Sequence, residues 1–219
     1  IMTNINLKNF DIYVAEGYKV TAQLPEIGKK YYNPLEDVEY VTNNEDTDKV
    51  LLVGTVNEPW FAPIAKVLKQ YSKADGSDLT TSDITSKPID IIRKTSYNAA
   101  MELTADTDVV ISAGNVLHAK KGDYLVCSVK EENGIMVPDN QWGYWTINRE
   151  VFHNTNRIFM GSCGENTIYI LDNNGTFTLK GAGSTENFIR KDGSYSAFIF
   201  HDKIKKVVIE EGITRIGSC

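Results

Sequence analysis

Apolar and polar residues alternate along several short stretches of the chain, and this period of two predicts β-strands. One such stretch, residues 124–129, precedes a second predicted strand at residues 145–147 and a short helix opened by Asn148. Residues 59–71 have the apolar spacing of an amphipathic helix, and the Ala, Met and Leu content of residues 97–103 is typical of a short helix. The remaining predicted strands cover residues 12–14, 18–22, 50–55, 89–93, 108–112, 168–171 and 177–179.

Two parts of this pattern resemble each other. In both, a strand is followed by a tryptophan and then, about seven residues later, by an apolar pair. The matched residues are Trp60, Val67 and Leu68 in the first part and Trp145, Val151 and Phe152 in the second. We therefore predict that residues 10–75 and 87–157 are divergent copies of one unit.

The second of these parts also carries a motif. It begins with a Lys-Pro strand, has a Gly-Asp-Tyr turn into the next strand, and ends in an apolar strand and a helix with a phenylalanine. The motif residues are Lys87, Pro88, Gly122, Asp123, Tyr124, Trp145, Ile147, Phe152 and Thr155. This arrangement resembles a family of small uncharacterised domains common in bacteriophage and bacterial genomes, although Asn156 stands where that family usually has Tyr. The resemblance implies a compact β-rich fold and no particular activity.

Residues 161–183 contain a Cys-Gly turn, a strand, a tight hairpin turn at Asn174-Gly175 and a second strand. This order resembles the N-terminal cap of BspA-type leucine-rich-repeat proteins, and residues 204–217 resemble their first repeat. The resemblance implies a β-hairpin cap followed by the start of a leucine-rich solenoid, in which the cap shields the first repeat. Further repeats follow in that family, so we expect the chain to be a fragment or to end abruptly at Cys219.

These features predict an α+β, β-rich fold: two related small β/α units, then the hairpin cap and the solenoid. We place the first domain at residues 1–157 and the second at residues 158–219. The formal net charge of the chain is −6, and residues 158–219 contain seven basic and seven acidic side chains. The first domain therefore carries all of the excess negative charge.

The acidic balance, with a pI near 5.2, argues against binding to nucleic acid, because phosphate neutralisation needs clustered Lys and Arg. No apolar run approaches the roughly 18 to 20 residues that span a bilayer, and residues 1–4 do not resemble the start of a signal peptide. We therefore expect no nucleic-acid partner and no membrane span.

The histidines and cysteines predict neither a metal site nor a cofactor. The three histidines, His118, His153 and His201, share no metal-ligand spacing, and we interpret them as surface or loop residues. The three cysteines, Cys127, Cys163 and Cys219, are odd in number and far apart, which fits neither a disulfide framework nor a zinc site. Residues 43–48 offer oxygen ligands but lack the central Gly and distal Glu of a calcium loop.

Two groups of side chains are candidates for binding or catalysis. Four carboxylates lie near one another in sequence, at Asp123, Glu131, Glu132 and Asp139, but turns and hairpin loops carry such charges in any case. Trp142, Tyr144 and Trp145 form the stronger candidate. On one strand, Trp142 and Tyr144 share a face and Trp145 points to the other. One face is then core, and the other is either packed or free to stack on a sugar, a base or a partner side chain.

No nucleophile, base and oxyanion donors occur together, so the leading hypothesis is a non-enzymatic binding or adhesion module that acts through protein contacts. The resemblance to leucine-rich-repeat proteins implies a cell-surface or secreted location. The alternatives are a structural or accessory protein of a phage particle, and an enzyme acting on a nucleotide or glycan. Because Val207, Ile209, Ile213 and Ile216 belong to an uncovered repeat, we expect self-association or burial of that edge, with Cys219 near it.

Overall fold

A computed structural model describes residues 5–44, 47–110, 116–186 and 202–217. Strands account for 51% of the described residues. The two α-helices in this part of the chain have seven residues each, α1 (Ile64–Gln70) and α2 (Arg149–Thr155). Neither is long and apolar enough to cross a membrane, and no other described helix is.

Twenty strands are described in chain order. Those before residue 94 are β1 (Asp11–Ala15), β2 (Lys19–Gln23), β3 (Lys30–Asn33), β4 (Val38–Val41), β5 (Lys49–Val53), β6 (Pro59–Pro63), β7 (Tyr71–Lys73) and β8 (Ile89–Arg93). Those after it are β9 (Ser96–Glu102), β10 (Thr107–Val110), β11 (Val116–Ala119), β12 (Tyr124–Glu132), β13 (Ile135–Asp139), β14 (Trp145–Ile147), β15 (Asn156–Gly164), β16 (Thr167–Leu171), β17 (Thr176–Gly181), β18 (Gly183–Ser184), β19 (Lys206–Ile209) and β20 (Ile213–Arg215).

The chain divides into two compact units that are not contiguous in sequence. Unit 1 contains Ile1–Val14, Tyr97–Thr146 and Arg157–Cys219, and unit 2 contains Ala15–Ser96 and Ile147–Asn156. This grouping places residues 97–146 with residues 157–219, and strand β15 runs through the segment around residue 157. The predicted division into domains of residues 1–157 and 158–219 stays a prediction.

Unit 1 is built on a nine-stranded sheet with the order β13-β12-β9-β1-β15-β16-β17-β19, and β14 pairs with β12. Its core has two clusters. One joins Phe10 and Ile12 to Leu125 and Met160, and the other lies where β15, β16 and β17 pack together around Tyr169. Because β1 comes from the start of the chain, this sheet depends on long-range pairing.

Unit 2 contains a five-stranded sheet with the order β6-β5-β2-β8-β7. Val67 of α1 is fully buried against its core, which includes Val20, Leu52 and Ile91. Pro59 and Pro63 both lie in β6, at the edge of this sheet. Proline is tolerated in an edge strand because the missing N–H can face away from the neighbouring strand.

The same succession of elements occurs twice along the chain. Each half has two strands, a two-stranded hairpin, two further strands, a seven-residue helix and a strand that follows the helix directly; only β13 has no counterpart. The strand order β6-β5-β2-β8-β7 in one sheet corresponds to β14-β12-β9-β1-β15 in the other. In this correspondence β1 and β8, the first strands of the two halves, have exchanged sheets. Duplication of residues 10–75 and 87–157 accounts for this order and stays a prediction.

Several predicted elements are confirmed. Strands β12 and β14 and helix α2 occupy the expected residues, and the Asn148 side chain accepts a hydrogen bond of 2.9 Å from the Glu150 amide at the start of α2. The hairpin of β16 and β17 turns at Asn174-Gly175 as expected. There Asp172 accepts hydrogen bonds from the amides of Asn174 and Thr176.

The predicted fold class is wrong. The protein is mostly β, and it is not an α+β fold with a leucine-rich solenoid. Residues 97–103, predicted as a helix, lie mainly in β9, because Ala99 and Ala100 pair with β12 in the buried part of the sheet. The helix predicted over residues 59–71 is confined to α1, since its first residues form β6. At the C-terminal end, β19 is the edge strand of the nine-stranded sheet.

Candidate functional site

The three aromatic residues singled out in the sequence lie in and after the connection between β13 and β14, in unit 1. We call residues 139–145 the aromatic turn. The Gly143 amide donates a hydrogen bond of 2.9 Å to the Asn140 carbonyl, which closes a β-turn over residues 140–143. Gly143 has φ +81°, a conformation that glycine adopts without steric cost. The turn therefore places Trp142 at its tip.

Side chains within the turn hold it together. Asp139 Oδ1 accepts a hydrogen bond of 3.2 Å from the Gln141 amide, and Asp139 Oδ2 accepts one of 2.9 Å from Gln141 Nε2. Asn140 Nδ2 donates to the Tyr144 hydroxyl oxygen at 2.9 Å. The Asn140–Tyr144 bond links the residues before and after the tip, and the Asp139–Gln141 bonds hold the residues before it, so the main chain at Trp142 is constrained.

Tyr144 anchors the turn to the body of unit 1. Its ring centroid lies 6.1 Å from that of Phe10, with the two planes tilted by 35°, and Tyr144 packs against the core cluster that contains Phe10 and Leu125. Trp145 opens β14 and is half-buried. The turn is thus fixed to the core by Tyr144, and it continues into the sheet at Trp145, because β14 pairs with β12.

Trp142 differs from Tyr144 and Trp145, because 70% of its surface is exposed. The prediction that Trp142 and Tyr144 share one face of a strand is wrong, since both precede β14 and Gly143 reverses the chain between them. The three aromatics therefore have different surroundings: Tyr144 packs against the core of unit 1, Trp145 is half-buried in β14, and Trp142 is exposed to solvent.

The four candidate carboxylates are not brought together as a pair. Asp123 accepts a hydrogen bond of 2.9 Å from the Lys120 amide in the turn before β12. Glu131 and Glu132 lie at one end of the β12–β13 ladder and Asp139 at the other, opposite Ser128. Glu132 is paired with Lys130 at 2.9 Å. These carboxylates therefore stabilise turns or lie on the surface of strands.

The histidines and cysteines have structural surroundings. His118 is hydrogen-bonded to Asp108 across the β10–β11 hairpin, where the two residues are opposite each other. Cys127 and Cys163 are free thiols, and burial raises the pKa of Cys127 to about 11 and also raises that of Cys163. No group of three or more potential metal ligands occurs within the described ranges.

Four predicted features lie wholly or partly outside the described residues. His201 and Cys219 are not described. The segment at residues 43–48 is described except for residues 45 and 46, and the strand predicted over residues 108–112 is described only as far as residue 110.

Sequence reasoning missed the polar residues that build the aromatic turn. From the sequence, Asp139 is expected in a turn or hairpin loop with no specific partner, and nothing is predicted for Asn140 or Gln141. The signal was present, because an Asp whose side chain bonds to the amide two residues later is typical of a turn, and a glycine follows shortly after it.

Comparison of the chain with protein-family models, with curated proteins and with solved structures finds no match.

Proposed function

We propose that the protein is a non-catalytic binding module that engages a partner protein through Trp142 at the tip of the aromatic turn. The observation that carries this proposal is the 70% exposure of Trp142 on a turn whose ends are fixed by hydrogen bonds and by the packing of Tyr144. The surface or secreted location is an expectation from the sequence resemblance and stays a prediction.

An exposed tryptophan on a constrained turn has the physical properties of a binding anchor. Its side chain offers about 150 to 250 Å² of surface for burial, and Trp is among the residues that dominate protein interfaces. Tryptophan is usually buried, so exposure in the free protein leaves apolar surface available to a partner. Because the turn is already ordered, binding loses less conformational entropy than binding through a mobile loop.

The polar groups of the turn favour a protein pocket over a sugar as the ligand. Both carboxylate oxygens of Asp139 accept hydrogen bonds from Gln141, and the Asn140 amide donates to Tyr144. Bonds within the turn therefore fix the orientation of these groups, whereas a sugar needs hydrogen-bonding groups oriented toward it beside the ring on which it stacks. Trp142 therefore presents an apolar anchor, which suits an apolar pocket on a partner.

The experiment compares Trp142→Ala with a matched control, Tyr32→Ala, which removes a different exposed aromatic ring in unit 2. Quantitative affinity purification with the wild-type protein and both variants identifies proteins whose recovery depends on Trp142. Calorimetry with the purified candidate then measures its affinity. We expect Trp142→Ala to weaken binding by about 30-fold, the effect of losing about 2 kcal/mol at a hot spot, and Tyr32→Ala to leave it unchanged.

Two outcomes would overturn the proposal. In the first, every bound protein binds Trp142→Ala as tightly as the wild type. In the second, a glycan array shows binding that requires Trp142 while no protein does, which would make the turn a sugar-binding site.

A further inference from the structure

Strand β19 lies at the end of the nine-stranded sheet and is an edge strand within the part of the chain that the structure describes. It pairs in parallel with β17, in the register Phe177 with Val207 and Leu179 with Ile209. Residues opposite each other in a sheet lie on the same face. The side chains of Val207 and Ile209 therefore continue the face formed by Phe177 and Leu179.

Burial changes abruptly along this face. Phe177 and Leu179 are each 2% exposed, whereas Val207 is 56% and Ile209 is 50% exposed. The apolar layer of unit 1 thus extends onto its last strand without being covered there by described residues. An uncovered apolar edge strand is a template for pairing with another chain.

The main-chain groups of β19 are also placed so that a further strand can pair with them. The amides of Lys206 and Glu210 donate to the Gly175 and Leu179 carbonyls at 3.2 and 3.0 Å, so these residues direct their main-chain groups toward β17. Alternate residues of a strand direct those groups to opposite edges. Val207 and Ile209 therefore present their amides and carbonyls to the free edge.

The charges around β19 are self-complementary. Residues 205–211 read Lys-Lys-Val-Val-Ile-Glu-Glu, and all four charged side chains are exposed. The ion pairs among the described residues involve none of these four side chains. A second copy running antiparallel, with Val208 opposite Val208, brings Lys206, the first residue of β19, opposite Glu210, the residue that directly follows β19.

The backbone and the side chains select the same register. When Val208 is at the centre, Val207 lies opposite Ile209 of the second copy, and both residues direct their main-chain groups across the new edge. If the register is shifted by one residue, the main-chain groups of Val207 and Ile209 lie opposite residues whose main-chain groups point away, toward β17. The hydrogen bonds between the two copies then cannot form. Shifting the register by two places Val207 opposite Glu211 or opposite itself, and the opposite charges no longer match.

We propose that two copies of this chain pair through β19, antiparallel and centred on Val208, to form a two-fold symmetric dimer with a sheet continuous across both. The contact is isologous, because the same residues contribute from each side. It uses one short strand, so we expect weak, concentration-dependent association. This inference does not depend on Trp142 or on the proposed function.

A charge exchange tests the register. Lys206→Glu places like charges opposite each other at two symmetric positions, and so does Glu210→Lys. The double variant restores opposite charges in reversed order. In analytical ultracentrifugation we expect each single variant to raise the dimer dissociation constant by about tenfold or more and the double variant to recover most of the loss. Circular dichroism checks that the exposed substitutions leave the fold intact.

A disulfide tests the geometry independently. Val208→Cys, made with Cys219→Ser, places two thiols at directly opposite positions, whose Cα separation of about 4.5 Å in antiparallel sheets is within disulfide range. The matched control is Val116→Cys in the same background, at an exposed valine on β11. We expect a covalent dimer under mild oxidation with Val208→Cys and little with the control.

A wild-type protein that stays monomeric at all concentrations would overturn the proposal. So would a dimer that is unaffected by Lys206→Glu, or equal disulfide formation at positions 208 and 116.

Discussion

Val67 and Phe152 occupy the same position in two helices that are far apart in sequence. Each is the fourth residue of a seven-residue helix, and each lies seven residues after a tryptophan. The Val67 carbonyl accepts a hydrogen bond from the Tyr71 amide, and the Phe152 carbonyl accepts one from Asn156, the residue that opens the following strand. Both side chains are almost fully buried. A short helix with a buried apolar residue at its fourth position therefore occurs twice.

We expect these anchors to dominate the stability contributed by their helices. Phe152→Ala should lower the free energy of unfolding by about 3 to 5 kcal/mol, and Val67→Ala by about 1.5 to 3 kcal/mol, because each leaves a cavity that its surroundings fill only partly. Lys66→Ala, at an exposed position of α1, is the control and should change stability by less than about 0.5 kcal/mol. Chemical denaturation measures all three. Equal effects of Lys66→Ala and Val67→Ala would contradict the anchor role.

Gly181, the last residue of β17, should be less replaceable than Gly183, the first residue of β18. Its φ is +121°, and a Cβ there would lie 2.1 Å from the Asn166 carbonyl oxygen, which accepts a hydrogen bond from the Ala182 amide. Gly183 is the matched control, because its φ is +99° but a Cβ there meets nothing within 4 Å. Gly183→Ala should cost about 1 to 2 kcal/mol of backbone strain, and Gly181→Ala clearly more, by thermal denaturation. A Gly181→Ala variant as stable as Gly183→Ala would show that the carbonyl moves aside freely.

Glu58 should make folding less favourable as pH rises. Burial raises its pKa above the ordinary value of 4.5, although the Val56 amide donates to its carboxylate at 3.0 Å. The folded state therefore holds this proton more tightly than the unfolded state does. The resulting stability is fully present below pH 4.5 and is lost as the pH rises through the folded-state pKa.

The measurement is the unfolding free energy of wild type, Glu58→Gln and Glu58→Leu from about pH 4 to pH 8. Glu58→Gln keeps an acceptor for the Val56 amide but cannot ionise, so its stability relative to wild type should increase with pH. Glu58→Leu lacks that acceptor and should be less stable than Glu58→Gln throughout. A difference between Gln and wild type that does not vary with pH would contradict the prediction.

Trp142 should account for most of the tryptophan fluorescence that iodide can quench. Trp60 and Trp145 are half-buried, whereas Trp142 is exposed at the tip of the aromatic turn. We expect Trp142→Phe to remove most of the quenchable component and Trp145→Phe to leave it in place. If Trp145→Phe removed it instead, the two side chains would have the opposite exposure in solution.

The sequence by itself determined the features that depend on neighbouring residues. The Asn174-Gly175 turn and the Asn148 cap of α2 occur as expected, because the side chain and backbone groups that form them lie within four residues of one another. The alternation in β12 was likewise sufficient to identify a strand.

Only the tertiary structure decided the features that depend on distant pairing. Residues 97–103 have the composition of a helix, yet most of them form β9, because pairing with β12 and burial of Ala99 outweigh a weak local preference. The sequence likewise could not predict which strands pair with β1, because its partners β9 and β15 lie more than 80 residues away in sequence. Local pattern identifies a strand but carries no information about its neighbours, and the long-range contacts that choose them are made only when the chain folds.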